Sequence, residues 1–457
     1  MYKVKINADG SVQRFKARLV AKGFNQKYGI DFSETFSPVV RWETVRAVLS
    51  VAASKKLILT QFDVKTAFLY GKLTEEIYMS QPEGFSDGSK KVCKLYKSIY
   101  GLKQAPRCWS ECFNKVVEDY GLLQSCSDPC LYYNETKSLL LIVYVDDGII
   151  ASEDEKIAKQ FLVKLETEFC ITVGTANYYL GMQIEYLDGE RIFIHQEAYC
   201  KKILKRFSMF ESNAVCVPIE KGSITVEEST ALSDDVPYRE AVGSLMFLAI
   251  VTRPDLSYVI SVLSQVLDKP KQQHWNLVKR TLRYLKGTPK NGIVFTPNSK
   301  SIQCFCDSDY AGDPLSRKST SGMVFLNAGG AICWKSQRQK CIALSTTEAE
   351  FVSASQAGKE AVWLSNLLRE LCFFHGIPVL NIDNQSAIKL IKNPTFHNRT
   401  KHIDIRYKFI RELCDNNQLG VTYCSTDEQA ADLFTKALPK IRFEKLKGII
   451  GMINLCD

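Results

Sequence analysis

Residues 139–150 read LLLIVYVDDGII. An apolar, strand-forming run leads to two adjacent aspartates, Asp146 and Asp147, and resumes beyond Gly148. Two acids between buried flanks repel each other and carry a heavy desolvation cost unless a cation meets them. The pattern predicts a tight hairpin whose tip presents Asp146 and Asp147 to a divalent metal ion, with Gly148 allowing the turn. An ordinary Asp-Gly hairpin turn has the same local pattern, so this stretch alone does not choose between the two.

Working outward, the 457 residues suggest two to four domains at about 150 residues each, long enough for real cores. An apolar content of 46% and a charged content of 24% fit a soluble globular chain. The net charge of +9 permits a polyanion partner and equally fits a solvated basic surface. The longest apolar runs, 139–145 and 245–251, are too short to span a bilayer, and no charged-then-apolar leader opens the sequence. A protein that is neither secreted nor membrane-bound is expected. Sixteen cysteines without a CxxC pair, beside five histidines, read as free thiols in a reducing compartment rather than as zinc ligands.

Before the central stretch, YKVKI and VQRFKARLVAKGF flank a turn at residues 8–10 and predict a hairpin. Its Lys16, Arg18 and Lys22 suit phosphate contacts, or equally an edge strand protected by lysines. A helix is expected over 43–56, with Val45, Val48, Leu49 and Ala52 on its apolar face. In LILTQFDVKTAFLYGKL, Asp63 ends an apolar strand and Phe68 follows five residues on. Asp63 can serve as a helix cap, or as a third carboxylate beside the central pair, the number that two magnesium ions require. Residues 92–109, VCKLYKSIYGLKQAPRCW, mix aromatic and basic residues around Gly101 and Pro106, and a helix is expected from residue 112.

Beyond the centre, 211–237 is polar and aperiodic and reads as a linker. A helix over 271–286 places Trp275, Val278, Leu282 and Leu285 on one side. Lys279, Arg283 and Lys286 fall on the other, either tracking a nucleic-acid backbone or simply solvated, and Gly287 stops the helix. The last third predicts strands at 304–310, 322–326 and 331–335, a helix over 346–373, strands at 379–383 and 421–424, and a closing helix containing AADLFTK. Asp307, Glu350, Asp383 and Asp432 lie at element ends. On the 346–373 helix, positions two apart point about 200° away from each other. Counting by threes and fours from Glu350 follows an apolar stripe to Leu371, which predicts that Glu350 faces the sheet and Glu348 a side nearer solvent.

Several motifs now stand in a fixed order: QFDVKTAFLYGKLTEEIYMSQPEGF, KLYKSIYGLKQAPRCW, YVDD, YYLGMQI, YREAVGSLMFLAIVTRPDLSY and HWNLVKRTLRYLKGT. Together they resemble the reverse transcriptase of copia-type LTR retrotransposons, and the acids of the last third resemble the ribonuclease H domain that follows it. The likeness covers nearly the whole chain. It implies an α/β fold class, with α+β fingers and palm (about 1–210) and a linker with a helical thumb-like region (about 211–297). A ribonuclease H-like α/β domain (298–440) and a C-terminal tail (441–457) would follow.

By that resemblance Asp63, Asp146 and Asp147 hold the polymerase metals, and Phe68 is the steric gate against a ribose 2′-hydroxyl. YYLGMQI, with Leu180 and Gly181, resembles the segment before and within the primer grip. By the same resemblance Asp307, Glu350, Asp383 and Asp432 hold the ribonuclease metals. On a nucleotide-binding reading of the residues themselves, Tyr100, Gly101 and Lys103 line the nucleotide pocket and Lys16, Arg18 and Lys22 contact phosphates. The alternatives are an ordinary loop before a helix and a solvated edge strand. Each site takes two Mg²⁺ ions, with Mn²⁺ as a substitute. The implied partners are an RNA template, a DNA primer, an RNA–DNA hybrid and dNTPs, with other segments of the element's polyprotein. The implied location is the cytoplasm, inside a virus-like particle with access to the nucleus. Two departures stand out: the sequence opens late in the fingers, and the loop before Asp432 lacks the histidine that many free-standing ribonucleases H carry. The first keeps open an inactive or domesticated fragment that only binds nucleic acid; the presence of all seven acids favours an enzyme.

Overall fold

The computed structural model describes residues 1–6, 12–225, 229–297, 302–392 and 401–455. Its fold class is α/β, and it divides into two compact units: residues 1–40 with 58–175, and residues 41–57 with 176–457.

The first unit is built on a six-stranded antiparallel sheet. Its order is Ile171–Thr175, Ile58–Val64, Asp147–Ser152, Leu139–Tyr144, Leu131–Tyr133 and Leu123–Gln124. The two apolar halves of the opening stretch are its central strands and are almost wholly buried. Trp109, Phe113 and Val117 of the Ala105–Asp119 helix, with Phe161 and Leu165 of the Glu155–Glu168 helix, pack on Leu141 and Ile150. The first of these helices begins earlier than the expected residue 112, because Pro106 fits its first turn, where no N–H partner is needed. Tyr2–Ile6 pairs with Val12–Ala17 as expected; the turn expected at residues 8–10 lies outside the described residues.

In the second unit, Tyr178–Tyr179, Met182–Leu187, Arg191–His195, Asn291–Phe295 and Met452–Asn454 form one antiparallel sheet. The compact units part after residue 175, and the strands that follow bond to Asn291–Phe295. The segment expected as a C-terminal tail carries a helix and a strand. Its Lys440–Ile449 helix buries Phe443 and Leu446, and Met452–Asn454 completes the sheet. The helix at Trp42–Lys55 buries every residue from Thr44 to Ala53, not one face. Its Arg46, 1% exposed, donates to the carbonyls of Ile332 (2.7 Å), Ile250 (2.7 Å) and Val251 (3.0 Å) and lies over the Trp334 ring.

The TRPDLSY segment has a similar structural purpose. Buried Arg253 pairs with Asp255 at 2.7 Å, and the Tyr284 hydroxyl donates to the same carboxylate at 2.6 Å. Tyr284 lies on the Gln272–Gly287 helix, where Trp275 is only half-buried and Leu277 takes the expected core place. Gly287 is that helix's last residue and Thr288 its cap, so the stop is not a left-handed glycine. The basic side of the helix is largely engaged within the chain: Arg283 donates to the Asn213 carbonyl at 2.7 Å and Lys286 sits over the Phe210 ring.

The remaining sheet has the order Gly330–Arg338, Thr320–Asn327, Gln303–Asp309, Val379–Ile382 and Gly420–Tyr423. Its first three strands are antiparallel and its last two pairings parallel, with the Thr346–Glu370 helix against it. AADLFTK forms no α-helix; Ala430–Phe434 is a short 3₁₀ helix, and the closing α-helix starts only at Lys440. Among the described residues no helix is long and apolar enough to cross a membrane, and the cysteines are thiols rather than disulfides.

Candidate active sites

The first acidic group is made by strand register. Tyr144 pairs with Asp147, so the turn consists of Val145 and Asp146. Gly148 is therefore in the strand and does not shape the turn as expected. It is needed for packing instead: a Cβ there would meet the Phe62 ring at 2.3 Å. The turn is held from two sides, by Trp109 Nε1 donating to the Val145 carbonyl at 2.6 Å and by Val64 N donating to the Asp146 carbonyl at 2.8 Å. Asp63 lies directly across from Asp147 on the neighbouring strand. Like charges in that relation are destabilising without a counter-charge. Burial, and then Asp63, push the Asp146 carboxyl above its usual range, while Lys16 and Arg18 pull it back.

The expected nucleotide side gathers in the same unit. The Phe68 ring meets Tyr100 edge-on, with centroids 5.2 Å apart, and the Arg18 guanidinium lies 4.9 Å from the Tyr100 ring centre. Arg18 Nε is buried without a hydrogen-bond partner. Ala21 N donates to the Tyr100 carbonyl at 2.7 Å, and Gly101, at φ 92, allows this approach because a Cβ would stand 2.2 Å from the Ala21 carbonyl oxygen. Lys103 is turned to its own neighbours, donating to the Gln26 carbonyl at 3.1 Å and lying over the Phe32 ring. Lys22 is exposed at the start of the Gly23–Asn25 turn. Leu180 and Gly181 form a two-residue turn with φ of 50 and 86, and they belong to the second unit.

The second acidic group converges more tightly. One oxygen each of Asp307, Asp383 and Asp432 lie within 4.8 Å of one another, an approach the hairpin acids do not match among the described residues. Glu350 borders them: its Oε1 accepts from Ser308 N at 3.2 Å, and its Oε2 is buried with no hydrogen-bond partner. Burial, followed by Asp307 and Asp383, drives the Glu350 carboxyl well above its ordinary range. Burial also pushes Asp307 up to about 7, with Asp432 and Asp383 adding to it and Lys436 opposing. An orphaned carboxylate oxygen beside three converging acids is a hard, anionic oxygen donor set, which fits a magnesium-type ion.

The expectation for Glu348 needs correction. It is as buried as Glu350, both at 6%, because it is tied into the helix start: its Oε2 accepts from Leu344 N at 2.8 Å, and its own N–H donates to Oγ of the N-cap Ser345 at 3.1 Å. Sequence reading also passed over the residues that surround the acids. Thr435 donates to Asp307, Gln429 Nε2 donates to the Cys306 carbonyl at 2.9 Å, and Lys436 and Arg442 meet Asp432. The i, i+4 spacing of Asp432 and Lys436 was the available signal.

Residues 1–221 match the family model described as reverse transcriptase (RNA-dependent DNA polymerase). A Pol polyprotein of the tobacco transposon TNT 1-94 (Nicotiana tabacum) is 44% identical over 99% of this chain and 35% of its own length. A Ty5-1 transposon protein of Saccharomyces cerevisiae is 32% identical over 65% of this chain and 99% of its own length. The chain belongs to the copia-type retrotransposon Pol family. It spans about a third of the long Pol relatives that it matches over its whole length. A solved foamy viral protease–reverse transcriptase in complex with an RNA/DNA hybrid aligns with a TM-score of 0.48 at 14% identity, over 83% of this chain and 45% of that one.

Proposed function

We propose that this copia-type Pol segment performs RNA- and DNA-templated DNA synthesis in its first unit and cleaves the RNA strand of RNA–DNA hybrids in its second. The observation that carries the polymerase half is the register that sets Asp63 opposite Asp147, with Asp146 in the turn beside them. Asp63, Asp146 and Asp147 would hold one pair of Mg²⁺ ions, and Asp307, Glu350, Asp383 and Asp432 another, with Mn²⁺ accepted at both. Bound there, the ions activate the attacking oxygen and offset the charge on the phosphate under attack.

The chain's own residues do the rest. Phe68, stiffened by Tyr100, excludes a ribose 2′-hydroxyl, and Tyr100 and Gly101 shape the nucleotide pocket. Arg18, with Lys16, offers cationic charge to phosphate, and Lys22 extends that charge along the backbone. Leu180 and Gly181 present a rigid turn to the primer strand. Template, primer and hybrid are gripped through backbone charge and groove shape rather than base sequence. On this reading residues 1–210 are fingers and palm, 211–297 linker and thumb, and 298–440 ribonuclease H.

The test is extension of a DNA primer on an RNA template by the purified chain with Mg²⁺ and dNTPs. A second assay follows cleavage of a labelled hybrid. Template-directed extension that needs Asp63 is the expected result; the absence of extension with a well-folded chain would overturn the polymerase half.

A further inference from the structure

Asp432 is fully buried, and each of its carboxylate oxygens is met by a cation. Oδ1 lies 2.7 Å from Lys436 Nζ and Oδ2 lies 2.6 Å from Arg442 Nη2. The same Lys436 ammonium stands 3.7 Å from Asp307 Oδ2. The two cations are held differently. Arg442 is fixed from behind, because its guanidinium also donates to Asp427 and to the Thr426 carbonyl. Lys436 reaches the acids on a flexible stem one turn beyond Asp432, and at 36% exposed it has a way back to water.

We propose that Lys436 is a tethered counter-ion of this carboxylate cluster. It bridges Asp307 and Asp432 when no divalent ion is bound and withdraws when one binds. This rests on the ribonuclease reading of the second unit. Acids this close repel, so the metal-free fold needs a cation between them, and a flexible lysine supplies one without fixing it there. A divalent ion using Asp307 and Asp432 then competes with an intramolecular ammonium. Lys436 is thus a positioning residue that lowers the site's affinity for metal while keeping the empty cluster folded.

The experiment measures Mn²⁺ binding to the full chain by electron paramagnetic resonance, together with thermal melting in EDTA and in saturating Mn²⁺. The part of Mn²⁺ binding that Asp383→Asn removes defines the site. If Asp383→Asn removes none, the ribonuclease reading fails and this inference with it. If it does remove binding, Lys436→Met is expected to tighten that fraction on the order of tenfold, the effect of losing one nearby cation. It should also melt lower than the parent in EDTA yet equal it in saturating Mn²⁺. Lys436→Arg, which keeps the charge, should stay near the parent in affinity, and Lys436→Gln repeats the measurement with a polar stem. Unchanged affinity in Lys436→Met and Lys436→Gln, or a melting deficit that persists in saturating Mn²⁺, would overturn the inference, since a merely structural lysine is missed equally in both conditions.

Discussion

The Trp109 indole donates to the Val145 carbonyl at 2.6 Å, and Val145 is a β-branched residue at φ 58. That conformation costs about 1–3 kcal/mol and persists only where its surroundings fix it. Trp109, from a helix distant in sequence, is one of the two groups that fix it, so the acidic turn depends on packing outside its own hairpin. Trp109→Phe keeps an aromatic ring in the core and removes the donor. We expect a stability loss of about 1–3 kcal/mol in urea unfolding. A more than tenfold fall in primer extension should accompany it, with primer–template binding retained. Extension at the parental rate would show that the turn does not need this bond.

The two acidic groups belong to different units, so their activities should separate. Asp146→Asn is expected to abolish primer extension and to leave cleavage of a preformed hybrid within about twofold, because it removes a carboxylate charge from one group only. The check is both assays on one preparation. Parental extension by this variant would dissociate the hairpin from catalysis.

The central hairpin and the last-third sheet were legible because their signals are local: alternation of burial, apolar runs of strand length and acids at strand ends. Asp63 could be placed with Asp147 because each ends or begins an apolar run. What stayed hidden depends on contacts far apart in sequence. Nothing near Gly148 announces that the Phe62 ring lies over it, so the local sequence points only to a turn. The pairing of Asn291–Phe295 with Met452–Asn454, which turns an expected tail into a sheet strand, is likewise non-local. The all-round burial of the Trp42–Lys55 helix follows from partners nearly three hundred residues away, such as Ile332 for Arg46. At the second site the converging acids stand out in the sequence, while Lys436 and Arg442 do not: the i, i+4 spacing of Asp432 and Lys436 is present, but a basic residue after an acid usually means only a solvated pair.

Phe68 should control sugar choice by shape. Its ring is half-buried and braced edge-on by Tyr100, so it cannot swing away freely from a bulkier sugar. Phe68→Val is expected to raise ribonucleotide incorporation relative to deoxyribonucleotide by at least tenfold, measured as the ratio of kcat/KM for the two nucleotides. Tyr100→Ala, which removes the brace, should move the ratio in the same direction by less. An unchanged ratio in an active Phe68→Val enzyme would leave the ring a packing residue.

The metal-free second unit should lose stability as pH rises. Asp307 titrates at about 7 in the folded chain, against about 3.9 for an unperturbed aspartate. Between those values the folded state holds a proton that the unfolded state has lost. Raising the pH from about 4 to 7 therefore lowers stability, and above 7 this contribution is flat. Glu350, raised in the same direction, adds to the slope. In EDTA we expect the melting temperature to fall across this window, and the fall to be smaller in Asp307→Asn. Saturating Mg²⁺ should flatten it, because the ion favours the ionised acids. A melting temperature that rises between pH 5 and 7 in EDTA for the parent but not for Asp307→Asn would contradict the assigned shift.

Cleavage of hybrids should depend on Glu350 and not on Glu348, although burial does not tell them apart. Both are 6% exposed, so the distinction lies in what their oxygens meet. Glu348 spends its carboxylate on the backbone, accepting from Leu344 N at the helix entry. A glutamine keeps a carbonyl oxygen there, so Glu348→Gln should retain the capping bond at a cost of under about 1 kcal/mol. Glu350 leads the buried stripe through Ala354, Ala357, Ala361, Leu364, Leu368 and Leu371, which seats it against the strand bearing Asp307. Its Oε2 has no partner, and its proton affinity is raised by burial and by Asp307 and Asp383. Such an oxygen is costly to the resting fold, and a glutamine in its place removes the buried ionisable group and with it the charge a metal ion would meet. Glu350→Gln is therefore expected to melt at or above the parental temperature in EDTA, to gain less from Mg²⁺, and to lose at least a hundredfold in cleavage rate. Glu348→Gln should keep most of the cleavage and the full Mg²⁺ gain. The reverse pattern, with both variants folded by circular dichroism, would place the catalytic carboxylate on the capping side of the helix.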